Sequence, residues 1–558
     1  MVEHVLQFQK ADWKAYMLSQ KDAINGVPGV RFIDRLPMQT SCGFPYKTPK
    51  HKKLLPGVKG DWTSELEADP DIQADVDHIL ENWAAGRRAC PVFSASLKDE
   101  PRKFSKIEEK KTRVFYPGPV SLIVCQRMIF TWFVRLVQTN PKVFGQAPGM
   151  DATGAQWDEL YKWMNRSDDW IAGDYADFDL DLIIQFLRMT YVFIAELGQH
   201  LGASPEHVQM MRAAAEDLVN PLVDYFGDLV MGVGKNPSGH ALTVIINGCV
   251  NMFYLIHCWI ELHPDSSKAA SRSEYIAIGL KFFEHVRAMT YGDDNIMNVV
   301  EARWYNHTSI SNLLCSLNVT YTMADKDAES VPYIKGCEIT FLKRWFRYED
   351  EVEGYVAPLE ETSIYKALMI TIPSKVVSKE KAYADCINSQ NEAMWHHGRD
   401  RFESFRKLLL ELIDYCDLAE YFPRGLLGWD ELRARWIRTR SSREITAWQE
   451  PVLIEQGLSE FECAICGRCP FQYREGIDDW SECALCGGCT FGGDPWCVNC
   501  QEDGYHCCGK LYEPTVLYTP GSKSINILLT CKDCDVMLSK NVPLTKPVAA
   551  ELGVAWLP

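Results

Sequence analysis

Apolar residues recur along this chain in distinguishable rhythms, and each predicts a different kind of element. Residues 1–170 mix a helical period with frequent Pro and Gly breaks. Residues 171–355 alternate short β-like runs with helical stretches. Residues 356–450 read as mainly helical: SFRKLLLELIDYC sets Phe405, Leu408, Leu409, Leu412 and Ile413 on one side. The composition then turns Cys- and Gly-rich, so a domain boundary is expected between 450 and 460.

Three local patterns stand out. Ile171-Ala-Gly-Asp174-Tyr-Ala-Asp177-Phe-Asp179 reads as a strand end carrying acids, with a helix beginning near Leu182. Val286 to Val300 reads as a hairpin, two apolar runs flanking a Gly292-Asp293-Asp294-Asn295 turn. Ala241 to Ile260 is apolar enough to imitate a membrane span. It carries Thr243, Asn247 and Asn251 at a spacing of four, so all three share one helical face. A polar stripe on an apolar helix suits a buried helix with a working face, and no transmembrane segment is expected. The first residues, MVEHVLQFQK, lack the basic start and apolar run of a signal peptide.

Composition narrows the class. The 558 residues suggest several lobes rather than one core. A chain that is 47% hydrophobic and 24% charged is neither disordered nor fibrous. A net charge of −17 excludes a wholly basic nucleic-acid coat. It leaves room for a local basic channel, since net charge says nothing of where charges lie. Residues 98–113 carry seven Lys/Arg against four Asp/Glu, a run that by itself reads as a solvated face.

Of 21 cysteines, 12 fall in the last hundred residues. CAICGRC holds Cys463, Cys466 and Cys469; its near-repeat CALCGGC holds Cys483, Cys486 and Cys489. Cys497, Cys500, Cys507, Cys508, Cys531 and Cys534 follow, with His506 alongside. Two thiolates two residues apart can share one tetrahedral Zn²⁺, so these spacings predict two or three structural zinc ions. A disulfide framework is the competing reading, but nothing in the sequence indicates secretion. Leu485-Cys486-Gly487-Gly488 imitates the nucleophile turn of viral cysteine proteases, yet it sits inside the metal-like repeat without a clear partner histidine. The other nine cysteines read as small buried apolar residues.

The acids carry the chemistry. Carboxylates at a strand end and at a hairpin tip converge if their strands are neighbours in one sheet. Three acids at one point repel and call for divalent cations. Two Mg²⁺ ions (or Mn²⁺) bridging them would activate an attacking hydroxyl and stabilise a leaving pyrophosphate, the chemistry of nucleotidyl transfer.

Seven ordered blocks across residues 38–347 extend this reading: TSCGFPY (40–46), KDEPRKFSKIEEKKTRV (98–114), DYADFD (174–179), NPSGHALTVIINGCVN (236–251), YGDD (291–294), TMADK (322–326) and TFLKRWFR (340–347). Together they resemble the RNA-dependent RNA polymerases of positive-strand RNA viruses, in particular the picornavirus-like group. The resemblance implies that Asp174 and Asp293 bridge the metals and that Asp294 supports the site. It implies that Asp179 lies beside the incoming ribose, where reverse transcriptases place a bulky aromatic; Phe178 is one position early and points the other way on a strand. Ser238, Gly239, Thr243 and Asn247 match the block that senses the ribose and positions the template, in a loop to which Gly239 is expected to lend flexibility. Lys98, Arg102, Lys106, Lys111 and Arg113 match the basic block that neutralises the triphosphate. Lys326 matches the proposed general acid for pyrophosphate. Lys343 and Arg344 match the primer grip, and Thr40, Ser41 and Gly43 match a template-entry loop.

The fold class implied is α/β (α+β): a right-hand polymerase with fingers, an RRM-like palm and a helical thumb. Fingers are expected over 1–170 with 195–235 inserted, palm over 171–194 and 236–355, thumb over 356–455, and a zinc module over 456–558. The last is an addition to the group's usual pattern. Partners implied are an RNA template and product duplex, NTPs, a protein primer and other viral replication proteins, in the host cytoplasm at replication complexes. A reverse transcriptase or a non-catalytic RNA-binding zinc protein are the competing readings; Asp179 and the complete set of acids argue against them. No GxxxxGK[ST] loop occurs, so helicase chemistry is not expected.

Overall fold

The computed structural model describes residues 1–98, 100, 104–176, 178, 182–325, 328–370 and 377–440, with the backbone alone at 106 and in five strands between 480 and 543. The chain forms two compact units: Met1–Ile24 with Pro37–Thr439, and Asn25–Leu36 with Arg440–Pro558. The division falls at Thr439, just after the helix Trp429–Arg438 ends, whereas composition places it at 450–460.

At the centre of the first unit lies a four-stranded antiparallel sheet. Its order is Tyr321–Met323, Trp170–Tyr175, Asp294–Val299, Val286–Tyr291. Period-two alternation splits the side chains between its faces. Ala172, Met289 and Ile296 face a core that includes Trp157, Leu160 and Met164 of the helix Gln156–Met164. Tyr175, Asn295 and Tyr321 take the opposite face, with the helix Thr243–Leu262 against it. That helix is apolar nearly all round, and it is buried nearly all round.

The helices Pro70–Ala84, Val120–Thr139, Ile184–His200 and Pro205–Val219 pack together beside the sheet. Two of them start on the same local logic. Asp69 and Ser204 accept from the N–H groups of Ile72 and His207, and a proline fills the first helical position of each. Val120–Thr139 and Thr243–Leu262 are both long and apolar enough to cross a membrane, and most of each is buried inside the fold. Sequence reading singled out only the second.

The last part of this unit has its own core, built from Glu361–Met369, Lys379–Trp395, Arg399–Tyr415 and Trp429–Arg438. Phe405, Leu409 and Ile413 point into it and Leu412 packs at its margin. Leu408 departs from the expected stripe and is 58% exposed. The stripe follows the i, i+4, i+8 row from Phe405, and Leu408 sits on its outer flank. Of the nine scattered cysteines, Cys42, Cys125, Cys249 and Cys258 are buried as expected; Cys90, Cys315 and Cys337 are exposed instead.

In the second unit, Trp480–Glu482 pairs with Cys489–Phe491, and Tyr512–Leu517, Ser524–Cys531 and Met537–Pro543 form a three-stranded antiparallel sheet. Cys489 opens one of these strands and Cys531 ends another. The other ten expected zinc ligands, Cys463, Cys466, Cys469, Cys483, Cys486, Cys497, Cys500, Cys507, Cys508 and Cys534, lie outside the described residues.

Candidate active site

The acids meet where the sequence pattern required, on adjacent strands. Asn295 pairs with Gly173, so one further step of the antiparallel ladder sets Asp294 across from Asp174. Thr322 opposes Asp174 from the other side. Opposed antiparallel positions bring Cβ atoms to ~4.5–5.5 Å, close enough for two carboxylates to share a cation. Between Tyr291 and Asp294, a two-residue turn carries Asp293 into solvent. Gly292 supplies its positive φ of 63°, a value that suits glycine at the first central position. Asp174 and Asp294 are half-buried. Among the described residues no three His, Cys, Asp or Glu side chains close into a metal-holding group, so the backbone sets the donors at one sheet edge rather than in a finished cage.

Beneath the acids lies a buried polar network that sequence reading did not assemble. Asn251 Nδ2 donates to the carbonyls of Gly292 (3.0 Å) and Asp293 (2.8 Å). Its Oδ1 accepts from the Tyr175 hydroxyl at 3.0 Å. On the next strand but one, the Tyr321 hydroxyl donates to Asn295 Oδ1 at 2.8 Å. Burial pushes both phenols well above their ordinary pKa, so they remain donors. The phenol of Tyr321 lies over Gly173, where a Cβ would overlap it. Only glycine fits that strand position. Asn251 was legible as the third member of the polar stripe, but its partners were not.

The stripe's other members lie at the helix start. Thr243 Oγ1 donates to the carbonyl of Pro237 at 2.9 Å and holds the preceding loop. Asn247 is buried, and its Oδ1 accepts from Asn236 Nδ2 at 2.7 Å. Ser238 Oγ accepts from the N–H of Tyr116 at 3.3 Å. Gly239 is needed for a reason other than the expected flexibility. Its φ is not positive, and a Cβ there would run into the main chain of Tyr116 and Pro117. The carbonyl of Gly239 accepts from Gly118 N–H at 2.9 Å. The loop is therefore seamed to the segment that follows the basic block.

Within that block Val114–Phe115 pairs with Ser96–Leu97. Lys98 and Arg113 flank Glu100 at 3.3 and 3.7 Å, and Lys111 lies 3.1 Å from Glu109. All three cations are solvent-facing. Arg102, Asp179 and Lys326, together with the side chain of Lys106, lie outside the described residues.

In the expected template loop, Thr40 is exposed, and Ser41 Oγ accepts from the N–H of Gly43 at 3.1 Å. Gly43 has φ 75° and no room for a Cβ against Gly118. Lys50, buried under this loop, donates to Thr40 Oγ1 and to the carbonyl of Ser41 (3.1 Å). Burial lowers its pKa. No motif pointed to Lys50. The TFLKRWFR segment forms a hairpin whose two central residues, Leu342 (φ 55°) and Lys343 (φ 58°), are both left-handed. Lys343 is exposed beside Glu360 at 3.6 Å. Arg344 turns inward, and its Nη1 donates to the carbonyl of Ala357 at 2.7 Å.

Known proteins resemble this chain in sequence and in fold. The chain is 27% identical over 413 residues to the replicase polyprotein of Drosophila C virus, covering 71% of this chain and 23% of that polyprotein. With the replicase polyprotein of Cricket paralysis virus the identity is 28% over 421 residues, with coverage of 71% and 23%. With the genome polyprotein of Rice tungro spherical virus (strain Vt6) it is 28% over 460 residues, with coverage of 78% and 13%. The chain thus spans under a quarter of the length of these relatives. Among solved structures, the Sicinivirus 3Dpol RNA dependent RNA polymerase matches with a TM-score of 0.62 at 19% identity, covering 78% of this chain and 84% of that one. At that identity the likeness speaks to the fold. Residues 1–399 match the family described as viral RNA-dependent RNA polymerase, a span that contains the sheet, its acids and the loops around them, and the chain belongs to that family.

Proposed function

We propose that this chain is a right-hand polymerase that adds ribonucleotides to an RNA 3′-hydroxyl on an RNA template and releases pyrophosphate, as part of the replication of a positive-strand RNA virus. The observation that carries the reading is the register that pairs Asn295 with Gly173, one step from Asp294 and Asp174 on the two adjacent strands, with Asp293 on the adjoining turn. Carboxylate oxygens are hard donors and fit Mg²⁺ or Mn²⁺, and Asp174 and Asp293 would hold the ions with Asp294 in support. A bound pair of such ions supplies activation of the attacking hydroxyl and neutralises charge on the leaving group.

The protein's own groups do the rest. Asp179 and Asn247 read the 2′-hydroxyl, and Ser238, Gly239 and Thr243 shape the loop beside it. Lys98, Arg102, Lys106, Lys111 and Arg113 offset the triphosphate charge. Lys326 returns a proton to pyrophosphate. Lys343 and Arg344 hold the primer strand, Lys343 through its exposed ammonium and Arg344 by bracing the hairpin. Thr40, Ser41 and Gly43 admit the template.

The C-terminal cysteines bind two or three Zn²⁺ ions and fold the last hundred residues around them. Phe471, Tyr473, Trp480, Phe491, Trp496 and Tyr505, which alternate with these cysteines in the sequence, serve RNA or a partner protein beside the product exit. Priming by a protein, association with other replication proteins and a site of action at cytoplasmic replication complexes complete the proposal.

Primer extension by purified protein on an RNA template tests the core of it. Asp293→Ala should abolish incorporation while RNA binding persists; extension above a few per cent of wild type would sink the assignment. Elemental analysis tests the tail: less than one zinc per chain, or intact disulfides, would end that part.

A further inference from the structure

A chain of buried polar side chains leads to Asn247 and has no assigned role. Gln126 comes from the helix Val120–Thr139. Asn236 and His240 come from the loop that precedes Thr243–Leu262, and Asn247 from that helix's second turn. All four are buried.

Two main-chain N–H groups set the direction of every hydrogen bond in this chain. Ala241 N–H donates to Gln126 Oε1 at 3.2 Å, and Leu242 N–H donates to His240 Nδ1 at 3.2 Å. Gln126 therefore turns its Nε2 outward as a donor, and that nitrogen meets the same Nδ1 at 3.1 Å. An imidazole that accepts at Nδ1 carries its proton on Nε2. Nε2 donates to Asn236 Oδ1 at 2.7 Å. Asn236 is then left with Nδ2 as its donor, which reaches Asn247 Oδ1 at 2.7 Å and the Thr243 carbonyl at 3.2 Å.

Side-chain amides are ambiguous alone, since either end fits a generic neighbour. A main-chain amide cannot flip, so the ambiguity is removed here at its source. Burial also keeps the imidazole neutral, pushing its pKa down to about 3. An imidazolium would place a proton on Nδ1, facing the two donors already there.

We propose that Gln126, His240 and Asn236 are positioning residues that lock the Asn247 amide in one of its two flip states and thereby set how strongly the site prefers ribose over deoxyribose. The proposal rests on the reading of Asn247 as a contact to the 2′-hydroxyl. With Oδ1 committed to Asn236, the flip state of Asn247 is fixed with Nδ2 as the donor end, the end that suits a hydroxyl oxygen. Discrimination by a hydroxyl requires a partner that is already oriented, because a mobile amide can turn to suit the analogue that lacks it.

Single-nucleotide incorporation by the full-length protein tests this, read as kcat/KM for an rNTP and for the matching dNTP. His240→Phe keeps a ring but removes both nitrogens. Asn236→Asp keeps the shape but removes the donor to Asn247. Each should lower the ribose preference about tenfold, mainly through KM for the rNTP. His240→Gln, whose amide retains a donor and an acceptor, should recover most of it. In an Asn247→Ala background neither change should add anything, because a residue that acts through Asn247 is silent once Asn247 is gone.

Three results would overturn the proposal. One is an unchanged ribose preference in Asn236→Asp when Asn247→Ala has lost it. Another is an effect that adds to Asn247→Ala. The third is an unchanged preference in Asn247→Ala itself, which removes the ribose reading along with the relay and so separates the two failures. Asn236→Asp, being nearly isosteric, decides the matter if His240→Phe does not fold.

Discussion

Asn251 donates to the carbonyl of Asp293 at 2.8 Å, from a helix buried under the sheet to the turn at its edge. The same amide reaches the carbonyl of Gly292 and accepts from Tyr175, whose neighbour in sequence is Asp174. One fully buried side chain therefore holds the turn that carries Asp293 and the strand end that carries Asp174. A two-residue turn projecting into solvent would otherwise sample several positions. Placement of the acids is thus a property of the helix below them as much as of the strands that bear them.

Asn251→Leu should therefore do two kinds of damage. It leaves the turn carbonyls and the Tyr175 hydroxyl without their partner, at a cost of about 2–4 kcal/mol in unfolding free energy. Incorporation should fall further than this loss of folded protein explains, because the turn is released. Denaturant melts alongside primer extension separate the two. An enzyme with full specific activity per folded molecule would show that the turn holds itself.

Gly173→Ala probes the strand next to the acids. Its new methyl would overlap the Tyr321 phenol, and neither sheet neighbour can move without breaking the ladder. A destabilisation of about 3 kcal/mol or more is expected. Adding Tyr321→Val should restore part of it by making room. Full recovery should not occur, because Asn295 Oδ1 then lacks its donor. Thermal melts of the single and double variants check both parts; a single variant as stable as wild type would refute the packing argument.

Asp217 is the matching case away from the acids. Its carboxylate accepts from Trp83 Nε1 (2.9 Å), Arg88 Nε (3.0 Å), and the N–H groups of Ala89 (2.8 Å) and Cys90 (3.1 Å). Each oxygen takes two donors. An asparagine in its place would turn an NH₂ toward two of them, so Asp217→Asn should cost about 3 kcal/mol. Unfolding by urea measures it, and a change below about 1 kcal/mol would show that the loop reorganises freely.

What could be read from the chain, and what could not, follows from how local each signal is. The Gly292-Asp293-Asp294 turn was legible because a turn and its flanking strands are written within a dozen residues. Asn251 was legible as a polar position on an apolar helix, since helical spacing is local too. Its pairing with Tyr175 was not, because that depends on which strand lies over which helix. Tyr321 and Asn295 likewise meet only because the Trp170–Tyr175 strand sits between theirs. Gly239 was marked as special for the wrong reason: a missing Cβ serves close packing as well as unusual dihedrals, and sequence does not say which. Leu408 was assigned inward because a window of leucines satisfies more than one helical stripe, and only the neighbouring helices select among them.

The last prediction concerns acid. His240 and His396 are buried, and desolvation pushes the pKa of each down to about 3. His396 is further disfavoured as a cation by Arg344, and its Nδ1 accepts from the N–H of Ala357. In the unfolded chain both return to about 6.5. Between those values these two histidines alone give the unfolded state two more bound protons than the folded state, so stability falls as pH falls, beginning near 6.5. Each histidine contributes a slope of about 1.4 kcal/mol per pH unit, and the pair removes about 4 kcal/mol between pH 7 and pH 5. Burial also lowers His4, to about 4, and His207, His257, His263, His307 and His397, which act in the same direction and deepen the loss. The carboxylates with depressed pKa, Asp224, Asp265, Glu274, Glu351, Glu360 and Glu361, add their own losses only below about 4.5, so the interval from 6.5 to 5 reports on the histidines. Urea unfolding at pH 7 and pH 5 measures the difference. His240→Gln should flatten the slope by one proton's worth. A protein equally stable at both pH values would mean that these imidazoles reach water or a proton partner in the folded state.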